Sequence, residues 1–244
     1  MKKILLMLLV LINFSYSATS EQIDQFFSLA HLDTDLIEVE EMFEQMGAGD
    51  SEQNTEIITI KFKEYLSSHL SDNEVTELIK LNKNPLLQVM YESYEELPED
   101  ELQEFNLSIQ ETPLSANRME LNKKIIDNIY DEETFITLIE EMSKKMLTLV
   151  NKGSSEPIES PEMTEENKKI MIKEMKDEVL LSMLYSTQTL NEDELQELYT
   201  LTDKAIMHKS FKLEVEATLF AIDSFIPIML DSLQKDMTQA LEEE

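Results

Sequence analysis

The chain contains no cysteine and only three glycines, Gly47, Gly49 and Gly153. Without cysteine there is no disulfide staple, no thiol nucleophile and no thiolate metal site, so stability has to come from a packed core. Three glycines hardly supply a phosphate-cradling loop. Positive charge is scarce as well. Twenty Lys and Arg stand against 51 Asp and Glu, for a net charge of −31, and Arg118 is the sole arginine. Such a surface repels phosphate backbones and anionic headgroups, which argues against nucleic acid and against direct membrane binding. The same charge resists aggregation and suits a concentrated or secreted protein.

Reaction motifs are missing too. There is no His-Glu-x-x-His, no Gly-x-Ser-x-Gly and no Glu-x-x-His pair of the kind a di-metal bundle needs. The three histidines, His31, His69 and His208, read as ordinary surface or boundary residues. Asp33-Thr34-Asp35 opens like a calcium loop, but Glu38 stands where the sharp-turn glycine belongs. The acidic runs Glu40-Glu41, Glu95-Glu96 and Glu242 to Glu244 read as solvated helix faces, with weak divalent-cation binding as the alternative. Carboxylates are so abundant that any two could be nominated as acid and base, so no nomination carries weight. No catalytic, cofactor-binding or metal-ligating residue is assigned, and no cofactor is expected.

The N-terminus is what the chain does have. Lys2 and Lys3 precede an apolar run from Ile4 to Phe14, and Ser15-Tyr16-Ser17 then places small residues before a cut ahead of Ala18. The run is shorter than the ~18–20 residues a membrane helix needs. No cysteine follows it, so a lipid-modified anchor is excluded. Residues 1–17 are therefore expected to be a cleaved signal peptide, and the mature chain a periplasmic or secreted protein. Loss of Lys2 and Lys3 would make that chain two units more negative than the whole.

Elsewhere apolar residues recur at three- and four-residue spacing, as in Val75, Leu78 and Ile79, or Leu195, Leu198 and Tyr199. No convincing strand pair occurs, and the β-branched stretch 56–62 runs into a helical pattern. The expected fold is an all-α helical bundle. Connectors are expected at 47–51, at 106–115 around Pro113, and at 151–166, where glycine, serines, prolines and acids give linker composition. Pro227 is expected to kink or end the last apolar run, Val215 to Leu233, whose Glu216, Asp223 and Asp231 mark it as a core helix rather than a membrane span.

Two stretches resemble each other. LSDNEVTELIKL (70–81) and LNEDELQELYTL (190–201) share Leu70/Leu190, Glu74/Glu194, Glu77/Glu197, Leu78/Leu198 and Leu81/Leu201, with Tyr65/Tyr185 upstream. Earlier in each half, Asp33-Thr34 through Glu40-Glu41-Met42 and Met46 aligns with Glu133-Thr134 through Glu140-Glu141-Met142 and Met146. Two matches in the same order point to two divergent copies of one multi-helix unit. The expected layout is a first unit over 18–112 and a second over 113–244. Each motif reads as a helix–tight turn–helix corner whose acids cap the helix start. Asn84-Pro85 would then open the next helix in the first copy, and Thr202-Asp203 would do so in the second.

This corner resembles an exported family of Gram-negative helical proteins known as domain of unknown function family 2059. The likeness is carried by Leu70 to Leu81, Asn84-Pro85, and Leu190 to Leu201 followed by Ile228-Met229. Asn84 stands where the family has serine, the turn glycine is missing from both copies, and the second copy lacks the proline. The resemblance implies a periplasmic helical domain and no known activity.

Methionine is the remaining signal. Met171, Met175 and Met183, with Val179, fall on one stripe of a helix after the linker and mark a candidate apolar groove for a partner, weighed against plain core filling. The functional expectation is an exported helical protein without enzymatic activity that binds a periplasmic or envelope protein or another ligand. A low-affinity divalent-cation binder is the alternative, and an enzyme ranks below both. If the leader is cleaved as expected, intact-mass measurement of envelope-extracted protein finds a chain beginning at Ala18. A mass that still includes Met1–Ser17 would refute it.

Overall fold

The computed structural model describes residues 17–34, 36, 37, 39, 51–91, 98–153 and 164–242. Among them ten α-helices succeed one another: α1 (Ser20–Leu29), α2 (Ser51–His69), α3 (Asp72–Asn82), α4 (Pro85–Tyr91), α5 (Glu99–Glu111), α6 (Ala116–Ile129), α7 (Glu132–Gly153), α8 (Glu165–Ser186), α9 (Glu192–Thr202) and α10 (Ala205–Glu242). A 3-10 turn, Thr187–Thr189, joins α8 to α9. The one extended contact among the described residues is an isolated antiparallel bridge between Ser17 and Ser71. The protein is all-helical, and stretch 56–62 lies inside α2.

The connectors are shorter than composition suggests. Helix α5 runs on through Asn106 to Glu111, leaving Thr112 to Ser115 as the connector, and α7 continues through Gly153. The N-terminal end of the expected 151–166 linker is therefore helix, and so is its C-terminal end, because Thr164 caps α8 by accepting the Asn167 N–H at 3.2 Å. Gly47 and Gly49 lie outside the described residues. Helix α10 does not end at Pro227. Proline removes the N–H that would reach the carbonyl of Asp223, but both residues are exposed or partly so, and water can take that carbonyl.

The two corners are built from the same bonds. Helices α3 and α9 both have 11 residues. Each opens with a capping box: Ser71 with Glu74, and Asn191 with Glu194, where the carboxylate accepts the cap residue's N–H at 2.8 and 2.7 Å. Each then turns within two residues, Asn84 donating to the Leu81 carbonyl and Lys204 to that of Leu201. Val75, Leu78, Leu195 and Leu198 are fully buried at matching places. The corners differ in one cap. Asn84 Oδ1 accepts the Leu86 N–H at 2.9 Å as expected, whereas the Thr202 hydroxyl is buried and turns back to the Tyr199 carbonyl instead of capping α10.

The helix after each corner crosses to the other half. Helix α10 lies along α2, the most extensive helix contact among the described residues, and also touches α3, while α4 packs on α8 and α9. The aligned tyrosines record this exchange. Tyr65 on α2 donates to Glu216 at 3.0 Å and packs on Phe220 at 5.4 Å, both from α10. Tyr185 on α8 donates to Glu101 and meets Phe105 edge-on at 5.5 Å, both from α5. The glutamate and phenylalanine stand four residues apart in each case, one helical turn.

A single hydrophobic cluster results. It runs from Ile23, Phe26 and Phe62 in the first half to Leu198, Met207 and Phe225 in the second. Its periphery is pinned electrostatically. Lys209 on α10 donates to Glu74 of the first capping box at 2.6 Å. Partial burial works against the Glu74 carboxylate, yet the bonds from Lys209 and Ser71 outweigh it and hold the pKa at about 2, below the ordinary 4.5. Because the folded pKa is depressed, this stabilisation is fully present above pH 4.5 and lost as pH falls from there toward 2. Glu74→Gln is expected to cost about 1 kcal/mol at neutral pH, discounted for solvent at a partly exposed pair. In urea titrations the gap between variant and parent closes as pH drops through that window. A gap independent of pH would contradict this account.

Candidate binding cavity

Helix ends from both halves converge on a cavity of about 400 Å³. From the first half come Ala30, His31 and Leu32 just past α1, Val39, and Tyr91 at the end of α4. From the second come Ile129 and Tyr130 at the end of α6, Phe135 and Leu138 on α7, and Met175 and Val179 on α8. Helix α10 closes one wall with Phe211, Glu214, Val215 and Thr218, successive positions along one helical face.

Polar bonds set the geometry of the first-half wall. His31 has φ 54°, a left-handed conformation that a residue with a Cβ adopts at a cost, here reversing the chain after α1. Its Nε2 lies 3.3 Å from Gln88 Oε1, and its ring stacks on Tyr91 with centroids 5.7 Å apart. Gln88 Nε2 donates to the carbonyls of Leu29 and Asn82 at 2.9 and 2.6 Å. The buried Asn82 in turn accepts from the Tyr91 hydroxyl. On the opposite wall Tyr130 and Phe135 meet edge-to-face at 5.9 Å. Glu214 accepts a 2.6 Å hydrogen bond from the buried Ser210 hydroxyl.

A second recess of about 230 Å³ adjoins the cavity and shares Ile129, Tyr130, Phe135, Phe211 and Val215 with it. Its outer side carries Asp131, Thr134, His208 and Lys212. Asp131 caps α7 by accepting both the N–H and the hydroxyl of Thr134, at 3.0 and 2.7 Å. Those bonds hold its carboxyl below the usual range, Lys212 and Lys176 adding to the effect against a smaller cost of burial.

Of the methionine stripe, Met175 and Val179 line the cavity. Met183 is fully buried in the core, and Met171 is half-buried away from the lining. At the expected cleavage position, Ser15 lies outside the described residues. Ser17 is exposed, and Ala18 is buried with its N–H donated to the Leu70 carbonyl at 3.2 Å. The other histidines have separate partners: His69 stacks on Tyr65 at 3.9 Å, and His208 sits 3.5 Å from Asp203. Of the acidic runs, Glu40-Glu41 and Glu95-Glu96 lie outside the described residues, as do Glu243 and Glu244. No group of three or more His, Asp or Glu able to hold a metal ion occurs among the described residues, and no helix there is long and apolar enough to cross a membrane.

Periodicity did not reveal the aromatic wall, because Tyr91 and Tyr130 stand at helix ends, where the 3.6-residue pattern has run out. One sign was available. The face of α10 that carries Phe211, Val215 and Thr218 includes Glu214, a carboxylate where an inward stripe normally has an apolar residue. Comparison with known proteins returned no match, whether to a family model, a curated protein or a solved structure.

The placement of the stripe separates its members in a stability assay. Met183→Ala opens a void in the core and is expected to cost about 2–5 kcal/mol. Met171→Ala is expected to stay within about 0.5 kcal/mol, as for a substitution outside the core. Equal losses in chemical denaturation would show that the two methionines are not packed as described.

Proposed function

We propose that this chain is an exported helical binding protein without enzymatic activity, and that the cavity between its two halves receives a small, largely apolar ligand. The observation that carries the reading is the wall itself: aromatic and aliphatic side chains from both halves around about 400 Å³. That volume falls in the ~300–1,000 Å³ range of small-molecule sites, which are mostly apolar with a few placed polar groups. The ionisable groups in the wall are engaged in holding structure, Glu214 by Ser210 and His31 by Gln88 and Tyr91. This favours binding over acid–base chemistry.

The reading includes duplication of one helical unit. Its support is the matching pair of capped corners and the reciprocal tyrosine contacts, in which each half lends helices to the other. A site on the seam would then arise from joining the copies rather than from either one. Export fits the same picture, since cleavage before Ala18 would leave the Thr19 capping box on α1 intact. The family likeness of the corners implies an exported helical domain and adds no catalytic residues.

The test is an uncharged fluorescent probe, N-phenyl-1-naphthylamine, titrated into the purified protein. Saturable enhancement with one site per chain is expected, and Val179→Trp, which fills the cavity, should abolish it while the helical circular dichroism persists. A folded Val179→Trp protein that still takes up the probe with unchanged affinity would refute the assignment.

A further inference from the structure

The cavity wall is selective in its charge. Among the described lining residues Glu214 is the one carboxylate, and neither lysine nor arginine contributes. Tyr91 from the first half and Tyr130, Phe135 and Phe211 from the second bring four phenol or phenyl rings to the space, Phe211 beside Glu214 on α10, with the His31 imidazole stacked on Tyr91. Aromatic rings attract cations electrostatically within ~6 Å of the ring centre, and the attraction grows where water is excluded. Resting on the reading of the cavity as the binding site, we propose that its ligand is an organic cation with an apolar body, an alkylammonium. The rings and Glu214 surround the charged head, and Met175, Val179 and Leu138 take the alkyl part.

Two further observations favour this sign of charge. The chain carries −31, which raises the local concentration of cations and lowers that of anions at any opening. In the adjoining recess Lys212 stands beside Asp131, and that carboxylate offsets the lysine's pull on anions. A neutral apolar ligand would gain from the aliphatic wall but nothing from Glu214. An alkyl carboxylate would meet that carboxylate across the same cavity, like charge against like.

The decisive comparison uses the unmodified full chain and three probes of similar size at 0.15 M salt: hexyltrimethylammonium, 1-hexanol and hexanoate, with Kd read by calorimetry. The cation is expected to bind at least tenfold tighter than hexanol, and hexanoate weakest. Glu214→Gln, which retains an acceptor for Ser210, should weaken the cation about tenfold and leave hexanol within twofold. Phe211→Leu should weaken the cation more than hexanol. Val179→Trp should remove the cation's binding heat, and heat that persists would mean the cation sits elsewhere on the acidic surface and would overturn the proposal. So would hexanol or hexanoate matching the cation, or a cation Kd indifferent to Glu214→Gln. If Val179→Trp blocks the neutral fluorescent probe but the cation holds no advantage over hexanol, only the charge assignment fails. If Val179→Trp blocks nothing, the cavity reading fails with it.

Discussion

The exchange of helices across the molecule is the constraint on which the rest of the structure depends. Helix α2 finds its main neighbour in α10, from the far end of the chain, and α8 and α9 receive α4 from the first half. Pulling the halves apart would strip α2 and α10 at once and return to water the buried side chains of a cluster running from Ile23 to Phe225. Burial of apolar surface is worth roughly 25 cal/mol per Å², and a chain without disulfides has no other cohesion of that size. The two halves are thereby locked into one core.

A chain of −31 tolerates its charge because many of its acids do local work. Glu74, Glu194 and Asp131 each accept bonds at a helix start, where unpaired N–H groups and the helix dipole favour an anion. Glu192, at the start of α9, reaches across to Ser115 and Asn117 at the start of α6. The sole arginine is spent in the same way. Arg118 donates to the carbonyls of Thr187 and Leu190, fastening α6 to the end of the 3-10 turn. In the first half the Leu70 carbonyl, at the equivalent place, takes the Ala18 N–H instead. Ion pairs at the surface, such as Lys173–Asp177 and Lys61–Glu64, add little beside these bonds.

The cavity arises from the same architecture. Helix ends meet at the seam, and part of the wall comes from side chains that terminate helices, set against interior positions of α8 and α10 such as Val179 and Val215. Tyr130 closes α6, Tyr91 closes α4, and His31 reverses the chain after α1. Rings at diverging ends leave space between them that aliphatic stripes packed side by side would close. Glu214 is admitted to that space because Ser210, one turn earlier on α10, supplies its hydrogen bond.

Local rules made the helices, the two capped corners and the acid-bearing helix starts legible from the residues, because capping and 3.6-residue periodicity act within a few positions. The same rules located Met175 and Val179 on a common face. They could not tell that face from the one that sends Met183 into the core, since a stripe shows which residues share a side and not what covers it. They also misjudged the connectors at 106–111 and 151–153, where polar composition yields to helix, and the role of Thr202, whose hydroxyl turns inward. By itself the sequence determined helical character and where the corner helices α3, α4 and α9 begin. Which helix lies against which, and hence a cavity walled by Tyr91 from one half and Tyr130 from the other, was decided only by tertiary packing, because contacts between residues far apart in the chain form where buried area is greatest, whatever their neighbours in sequence.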